Sequence, residues 1–399
     1  MKAITTFIKS NKIAVYILLI GIVFGGGSLW LQSKEEWTIP AYLTVMKLLG
    51  VIALSLAVVM ISSKQKKSIL ANIGMILFLL FSFELICFFM LGMPNKEKKD
   101  FSLPPVSEDH ISAHLGTVPY ADSVYRNLKT EGTDTVFDVH YTIDGNCMRT
   151  TPGHDSTKQT FAAFYGCSIA FGFGLDDDET FPYYFQQNSP YNSYNFAYDG
   201  YGTNHMLARL QYQNINEVVN ENDGIGVYLF FWDHIERAIG SMDRYVKWVS
   251  NAPFYYMKDG DLVRDRSFKD GRYVTSKIYE KLYQSSIINY FSVGFPLSLN
   301  ENHFDLVTEM VLKSKQVFKE QTGSEEFYLV IYPSYSKVEK ESMNTFLQLL
   351  EKKGVEYIDL TKNYIYNAKS TLGGDPHPNA KTNEILSKRL IEEIKKKKK

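Results

Sequence analysis

Three apolar runs open the chain before any alternation begins. Residues 13–31 read IAVYILLIGIVFGGGSLWL without a charge, the length that a helix rising about 1.5 Å per residue needs to cross a hydrocarbon core. Residues 43–61 and 69–93 repeat the pattern, which predicts three transmembrane helices. The first run is longer than the apolar core of a usual secretory signal and lacks a small-x-small cleavage site, so a retained helix is expected rather than a cleaved leader. Lys64, Lys66 and Lys67 lie between the second and third runs, and Lys2, Lys9 and Lys12 precede the first. Both groups are expected in the cytoplasm, which puts everything after the third helix outside it. The basic stretch Asn95-Lys-Glu-Lys-Lys-Asp100 pulls against that orientation. Lys47 can reach the headgroups. Glu84 sits deeper, where a carboxylate is costly unless paired or protonated. It reads either as a neutral or Lys47-paired residue inside a three-helix bundle, or as a contact with a partner membrane protein.

Beyond the third run the pattern changes. Residues 95–135 are polar and contain Pro104-Pro105, which predicts a linker leading into a lid or peripheral strands. From residue 136 short β-rich runs alternate with segments of helical spacing. The runs are TFAAFY at 160–165, YNFA at 194–197, GVYLFFW at 226–232, FYLVIY at 327–332 and VEYIDL at 355–360, with helices expected at 206–212, 304–321 and 340–352. The runs are apolar on both alternating faces, as strands of a parallel sheet covered on both sides should be. This predicts a three-layer α/β domain over 136–399 whose ligands bind outside the carboxyl ends of the strands. Residues 240–300 break the alternation and read as an insertion. It holds an expected hairpin around Lys258-Asp-Gly-Asp261 and many aromatics, which either stack on sugar rings or close a subsidiary core.

Composition narrows the classes. With 45% hydrophobic residues the chain is not disordered, and 43 basic against 44 acidic side chains give a net charge of -1, with no cationic field for nucleic acid. Cys87, Cys147 and Cys167 are too few for a disulfide scaffold and too scattered for structural zinc, and no metal or cofactor is expected. In an oxidising compartment Cys147 and Cys167 either pair or stay free. Asp176-Asp-Asp-Glu179 reads as a helix cap favoured by the dipole, or as a cation site. His110 and His114 share helical spacing without a third ligand and read as surface residues. Residues 395–399, all lysine, read as a frayed, solvated end, or as a contact for anionic lipid or acidic glycan.

Two segments carry chemistry. The first expected strand ends in Gly166-Cys167-Ser168, a turn that would expose a serine hydroxyl at the carboxyl edge of the sheet. The plain alternative is a serine that caps the following helix. Near the carboxyl terminus, Gly373-Gly374-Asp375-Pro376-His377-Pro378-Asn379 precedes a helix with the apolar residues Ile385, Leu386, Leu390, Ile391 and Ile394. On a helix, Asp and His two residues apart would not face each other. The two prolines hold the pair in a turn or extended form, so the Asp375 carboxylate can curl onto the His377 ring and fix its tautomer. The plain alternative is a proline-rich cap with an exposed histidine.

Taken together, Gly166-Cys-Ser168 with Gly172, then Asn195-Phe-Ala-Tyr-Asp-Gly200-Tyr-Gly202, then Asp375-Pro-His377-Pro-Asn379 resemble the successive blocks of the SGNH (GDSL-type) hydrolase superfamily, over roughly residues 135–395. The resemblance implies a flavodoxin-like three-layer sandwich with a five-stranded parallel sheet, with Ser168 as nucleophile, His377 as base and Asp375 as its orienting partner. It also implies an oxyanion hole built from the N–H of Ser168, the N–H of Gly200 and an asparagine side chain of the third block. Cys167 stands where the family name has Asp. The third block is missing: the strand at 226–232 runs into Trp232-Asp233-His234. His234 is the candidate donor there, or else a buried histidine bonded to Asp233; Asn204 and His205 are the other candidates.

These readings converge on a serine esterase tethered in a bacterial cytoplasmic membrane, with its catalytic domain outside the cytoplasm. The resemblance points to acyl (acetyl) groups on an envelope or surface glycan, or another small ester, as substrate, and membrane lipid is the other expected contact. The alternatives are an O-acyltransferase that works with a membrane acyl-transfer partner, and a catalytically silent binding or assembly module.

Overall fold

The computed structural model describes residues 12–32, 40–64, 67–91, 111–112, 114–333 and 340–398. Lys2, Lys9, Lys66, Asn95 to Asp100, Pro104-Pro105, His110 and Lys399 lie outside the described residues. The chain forms two units, one from residues 1–98 with 281–294, the other from 99–280 with 295–399.

The first unit is built on α1 (Lys12–Gln32), α2 (Pro40–Lys64) and α3 (Ser68–Met90), which occupy the three apolar runs. Thr44–Lys64 and Ser68–Met90 are long and apolar enough to cross a membrane, and Ile13–Val23 forms a shorter apolar stretch. The helices approach closely at small residues. A Cβ on Gly21 would sit 2.7 Å from Leu54 Cγ, and one on Gly74 would sit 3.0 Å from Val59 Cγ2. On α3, Ile69, Ile76, Leu80 and Ile86 point outward, a surface that only an apolar environment or another protein covers well. The Glu84 carboxylate on α3 accepts hydrogen bonds from the Ser285 hydroxyl and from the backbone N–H groups of Ser286 and Ile287. Its partners are thus a segment some 200 residues downstream, which neither sequence reading of Glu84 included.

The second unit is a three-layer α/β sandwich. Its sheet comprises β3 (Thr160–Tyr165), β4 (Tyr191–Asn195), β5 (Asp223–Phe230), β6 (Phe327–Ile331) and β7 (Tyr357–Asp359), all parallel, in the order β7-β6-β5-β3-β4. A hairpin of β1 (Ser123–Glu131) and β2 (Asp134–Ile143) precedes it, with β1 inside the stretch read as a linker leading into a lid or peripheral strands. Alternate residues of β3 feed opposite cores. Phe161, Ala163 and Tyr165 join the layer that holds α6 (Thr203–Tyr212), α7 (Asp233–Ile239), α8 (Glu301–Thr322) and α9 (Lys340–Lys352). Ala162 and Phe164 face α5 (Phe181–Gln187), α10 (Ala380–Lys397) and the β1-β2 hairpin. Both faces of the strand are apolar because both are covered.

The strand order places β3, first in sequence, between β5 and β4, which is the topological switch point of such a sheet. The helix α4 (Ser168–Phe171) starts there. In the 240–300 region the expected hairpin forms between Pro253–Lys258 and Asp261–Ser267, turning on Asp259 and Gly260 at φ 53° and 92°. The chain end departs from expectation. Lys395 to Lys397 continue α10 rather than fraying, with Lys397 paired with Glu356 at 2.6 Å and Lys398 with Glu326 at 2.6 Å. Ile385, expected on the buried face of α10, is 41% exposed.

Candidate active site

Ser168 is the first residue of α4, and the turn before it explains why. Gly166 adopts φ 156°, and a Cβ there would come within 2.9 Å of the Ala170 Cβ, so the chain reverses tightly from β3 into α4. As the first residue of a helix, Ser168 has an N–H without an intrahelical acceptor. At the other end of α4, Gly172 takes φ 87° and closes the helix with its N–H on the Ser168 carbonyl.

His377 reaches Ser168 from the loop before α10. Its Nε2 lies 2.8 Å from Ser168 Oγ, and its Nδ1 lies 2.6 Å from Asp375 Oδ1. The His377 backbone N–H also donates to Asp375 Oδ1 at 2.9 Å, so the carboxylate curls over the residue two positions on. The loop is pinned from outside: Leu372 N–H donates to the His377 carbonyl, Tyr366 donates to the Pro376 carbonyl, and Asn379 caps α10 through Thr382 N–H. Phe173 packs on the His377 ring at 4.5 Å between centroids. The three residues singled out from sequence are therefore joined in one hydrogen-bonded line.

The sequence reading missed a fourth group. Lys129 Nζ donates to Asp375 Oδ2 at 2.7 Å and to the Gly374 carbonyl at 3.0 Å. Lys129 lies on β1 where the register with β2 shifts, an irregularity that re-aims a side chain. Burial raises the Asp375 pKa, but the hydrogen bonds from His377 and Lys129 outweigh it and hold the carboxyl well below the usual range. With Asp375 ionised, His377 Nδ1–H donates to it, and Nε2 is left to accept the serine proton.

A second missed residue shapes the nucleophile turn. Arg149 is 1% exposed and donates to the carbonyls of Phe171, Gly172 and Leu175, while its Nε pairs with Asp177 at 2.9 Å. It thereby satisfies the free carbonyls at the end of α4. Asn195, a residue of the second block, adds its amide to the Ala170 carbonyl at 3.0 Å. Asp176 and Glu179 form a capping box, the cap reading of that acidic run.

The oxyanion candidates fare differently. Gly200, at φ 74°, lies in the loop at the carboxyl end of β4, next to β3 in the sheet. Arg237 Nη1 fixes this loop through the Tyr201 carbonyl at 2.8 Å. His234 is fully buried, with Nδ1 2.8 Å from the Tyr228 hydroxyl and its ring stacked on Tyr228. Asp233, the partner considered for it, pairs with Arg237 at 2.6 Å and Arg244 at 2.5 Å. Asn204 is also fully buried and donates its amide to the Pro253 carbonyl at 2.8 Å. His205, 4% exposed, accepts from Gly202 N–H through Nδ1, and burial lowers its pKa to about 3. All three are packed into the core and each has one such partner, while His234 Nε2 and Asn204 Oδ1 are buried without one.

Cys147 and Cys167 are both free thiols. Cys167, beside the serine, is fully buried; burial pushes its thiol up, and the Arg237 charge opposes this. His114 stacks on Tyr212 at 3.7 Å. A broad, charged cleft lined by Glu351, Tyr357, Asp359, Arg389 and Lys397 lies beside the edge strand β7, and its lining residues include neither serine nor cysteine.

No family model matches the chain, and no curated protein matches it. Among solved structures, one from Desulfitobacterium hafniense DCB-2 is described as a lipolytic protein of the G-D-S-L family. This chain is similar to it. The identity is 11%, the match covers 58% of this chain and 96% of that one, and the TM-score is 0.29. The chemistry of the site is accordingly carried by its distances.

Proposed function

We propose that the protein is a membrane-tethered serine esterase acting outside the cytoplasm, which removes acyl groups, acetyl foremost, from an envelope or surface glycan. One observation carries this reading: the continuous line from Ser168 Oγ through the His377 ring to Asp375, with contacts of 2.8 and 2.6 Å, at the carboxyl edge of the sheet. In this mechanism Nε2 takes the serine proton as Oγ attacks the ester carbonyl. The carbonyl oxygen becomes an oxyanion facing the N–H groups of Ser168 and Gly200. Asp375 stabilises the imidazolium, which then protonates the leaving sugar oxygen. Water, deprotonated by His377, resolves the acyl-enzyme and releases the acid. The apolar helices support a membrane location, and the lysines before the first apolar run and between the second and third support the extracytoplasmic side, against the basic stretch at 95–100.

Purified full-length protein in detergent should release acetate from acetylated oligosaccharides, and Ser168→Ala should lower that rate roughly 10⁴-fold or more. Equal release by Ser168→Ala would overturn the reading. Transfer to a sugar hydroxyl only when a second membrane protein is present would replace it with the O-acyltransferase.

A further inference from the structure

We infer that residues 285–291 form a membrane-embedded foot: the short helix Ser286–Tyr290 lies against α3 among lipid acyl chains, docked on Glu84, with Tyr290 and Phe291 facing lipid. The inference is independent of the esterase chemistry and rests on the proposed membrane-spanning reading of α3. It begins from the depth of Glu84. With 23 residues, α3 is about 34 Å long, against a hydrocarbon core of about 30 Å. Glu84 precedes the end of α3 at Met90 by six residues, or about 9 Å. Even if the whole excess of about 4 Å projected from that end, the Glu84 Cα would remain about 5 Å inside the hydrocarbon, and its side chain leans toward the helix amino terminus, away from that surface. Tilt shortens the projection and leaves it deeper still.

A carboxylate at that level requires donors, and backbone N–H groups at that level require acceptors. Each supplies the other here. Ser285 Oγ donates to Glu84 at 2.9 Å and Ile287 N–H at 3.2 Å, with Ser286 N–H as the third donor. Several further groups of the segment are paired within it, as membrane-depth backbone requires, while Asn289 and Ser292 are exposed. The Asn289 amide donates to the carbonyls of Tyr283 and Ser285, and the N–H groups of Phe291 and Val293 close on Ile287 and Ile288. Phe291 meets Phe83 of α3 at 6.1 Å between centroids. Phe291 is nonetheless 56% exposed and Tyr290 37%, continuing the outward apolar surface of Phe83 and Ile86. Lipid is the occupant because that surface is the flank of a membrane-length helix. The chain thus enters the membrane unit twice, once through α1 to α3 and again through residues carried by the insertion.

The test uses the full chain in phosphatidylcholine and phosphatidylglycerol vesicles. Phe291→Trp adds emission over the parent's own tryptophans, and brominated acyl chains should quench more than half of the added signal. Added emission that ignores bromolipid but is quenched by aqueous iodide would overturn the inference. Tyr290→Trp is a second reporter should Phe291→Trp fold poorly. Glu84→Leu, and more mildly Glu84→Gln, should release the segment and speed trypsin cleavage after Lys281 roughly tenfold, the effect of losing one decade in the docking equilibrium. An unchanged cleavage rate in both folded variants would refute Glu84 as the docking point.

Discussion

Replacing Lys129 with methionine isolates the one charge that touches the triad from outside it. Its ammonium lies 2.7 Å from Asp375 Oδ2, and His377 Nδ1 lies 2.6 Å from the other oxygen of the same carboxylate. The two contacts bracket the carboxylate and put the cation roughly 6 Å from the ring, where an effective dielectric of about 20 to 40 gives roughly 1 to 3 kcal/mol of repulsion toward an imidazolium. Lys129 is 26% exposed, so the lower end applies, which at about 1.4 kcal/mol per decade is close to one pH unit. Removing the cation leaves Asp375 unshielded and favours the protonated ring. The acid limb of kcat/KM for ester hydrolysis should therefore move to higher pH by about one unit in Lys129→Met. Lys129→Arg, which keeps the charge, should restore the parental limb. A residue that only supported the loop would lower activity and thermal stability without moving the limb. A limb that stays in place or moves to lower pH refutes the electrostatic reasoning.

Other outcomes follow from the same contacts. His234→Ala should lower Tm because it empties a buried site bonded to Tyr228, while kcat stays within roughly threefold; a fall of about 10²-fold or more would make His234 an oxyanion donor after all. His205 has its folded pKa depressed to about 3 from an ordinary 6.5, so the unfolded chain takes up a proton that the folded chain does not. Its contribution to stability is full above about pH 6.5 and is lost as pH falls toward 3, at up to about 1.4 kcal/mol per pH unit. The drop in Tm between pH 7 and 5 should be smaller in His205→Gln than in the parent, and an equal drop would contradict the assignment. Thiol titration of the denatured chain, prepared without reductant, should find three free thiols; a single one would mean that Cys147 and Cys167 pair.

What the sequence discloses here is what is local. Ser168 announces itself through Gly166, and Asp375 and His377 through the prolines that fix their turn. β3 falls on the residues expected because its side chains are apolar on both faces. β4 instead begins at Tyr191, ahead of the expected YNFA run, because its polar residues are hidden in pairs. Asn192 is fully buried and bonded to Glu221 and Asp155, and Tyr194 also donates to Glu221. Binary patterning reads such residues as exposed. Lys129 and Arg149 were invisible for another reason. Their partners lie 246 residues away in the first case and 22 to 28 in the second, and nothing in the local pattern of either predicts the contact. Glu84 could be flagged as out of place in an apolar run, but the donors that explain it lie more than 200 residues downstream.

The most direct measurement is the mass of the peptide that contains Ser168 after the folded, full-length protein has been treated with a fluorophosphonate. A serine with an adjacent base and an oriented imidazole should gain the phosphonyl group at Ser168, and His377→Ala should remove most of that adduct. Folded parent protein that carries no adduct on Ser168, or that labels equally well without His377, would contradict the claim that these residues form a working nucleophile.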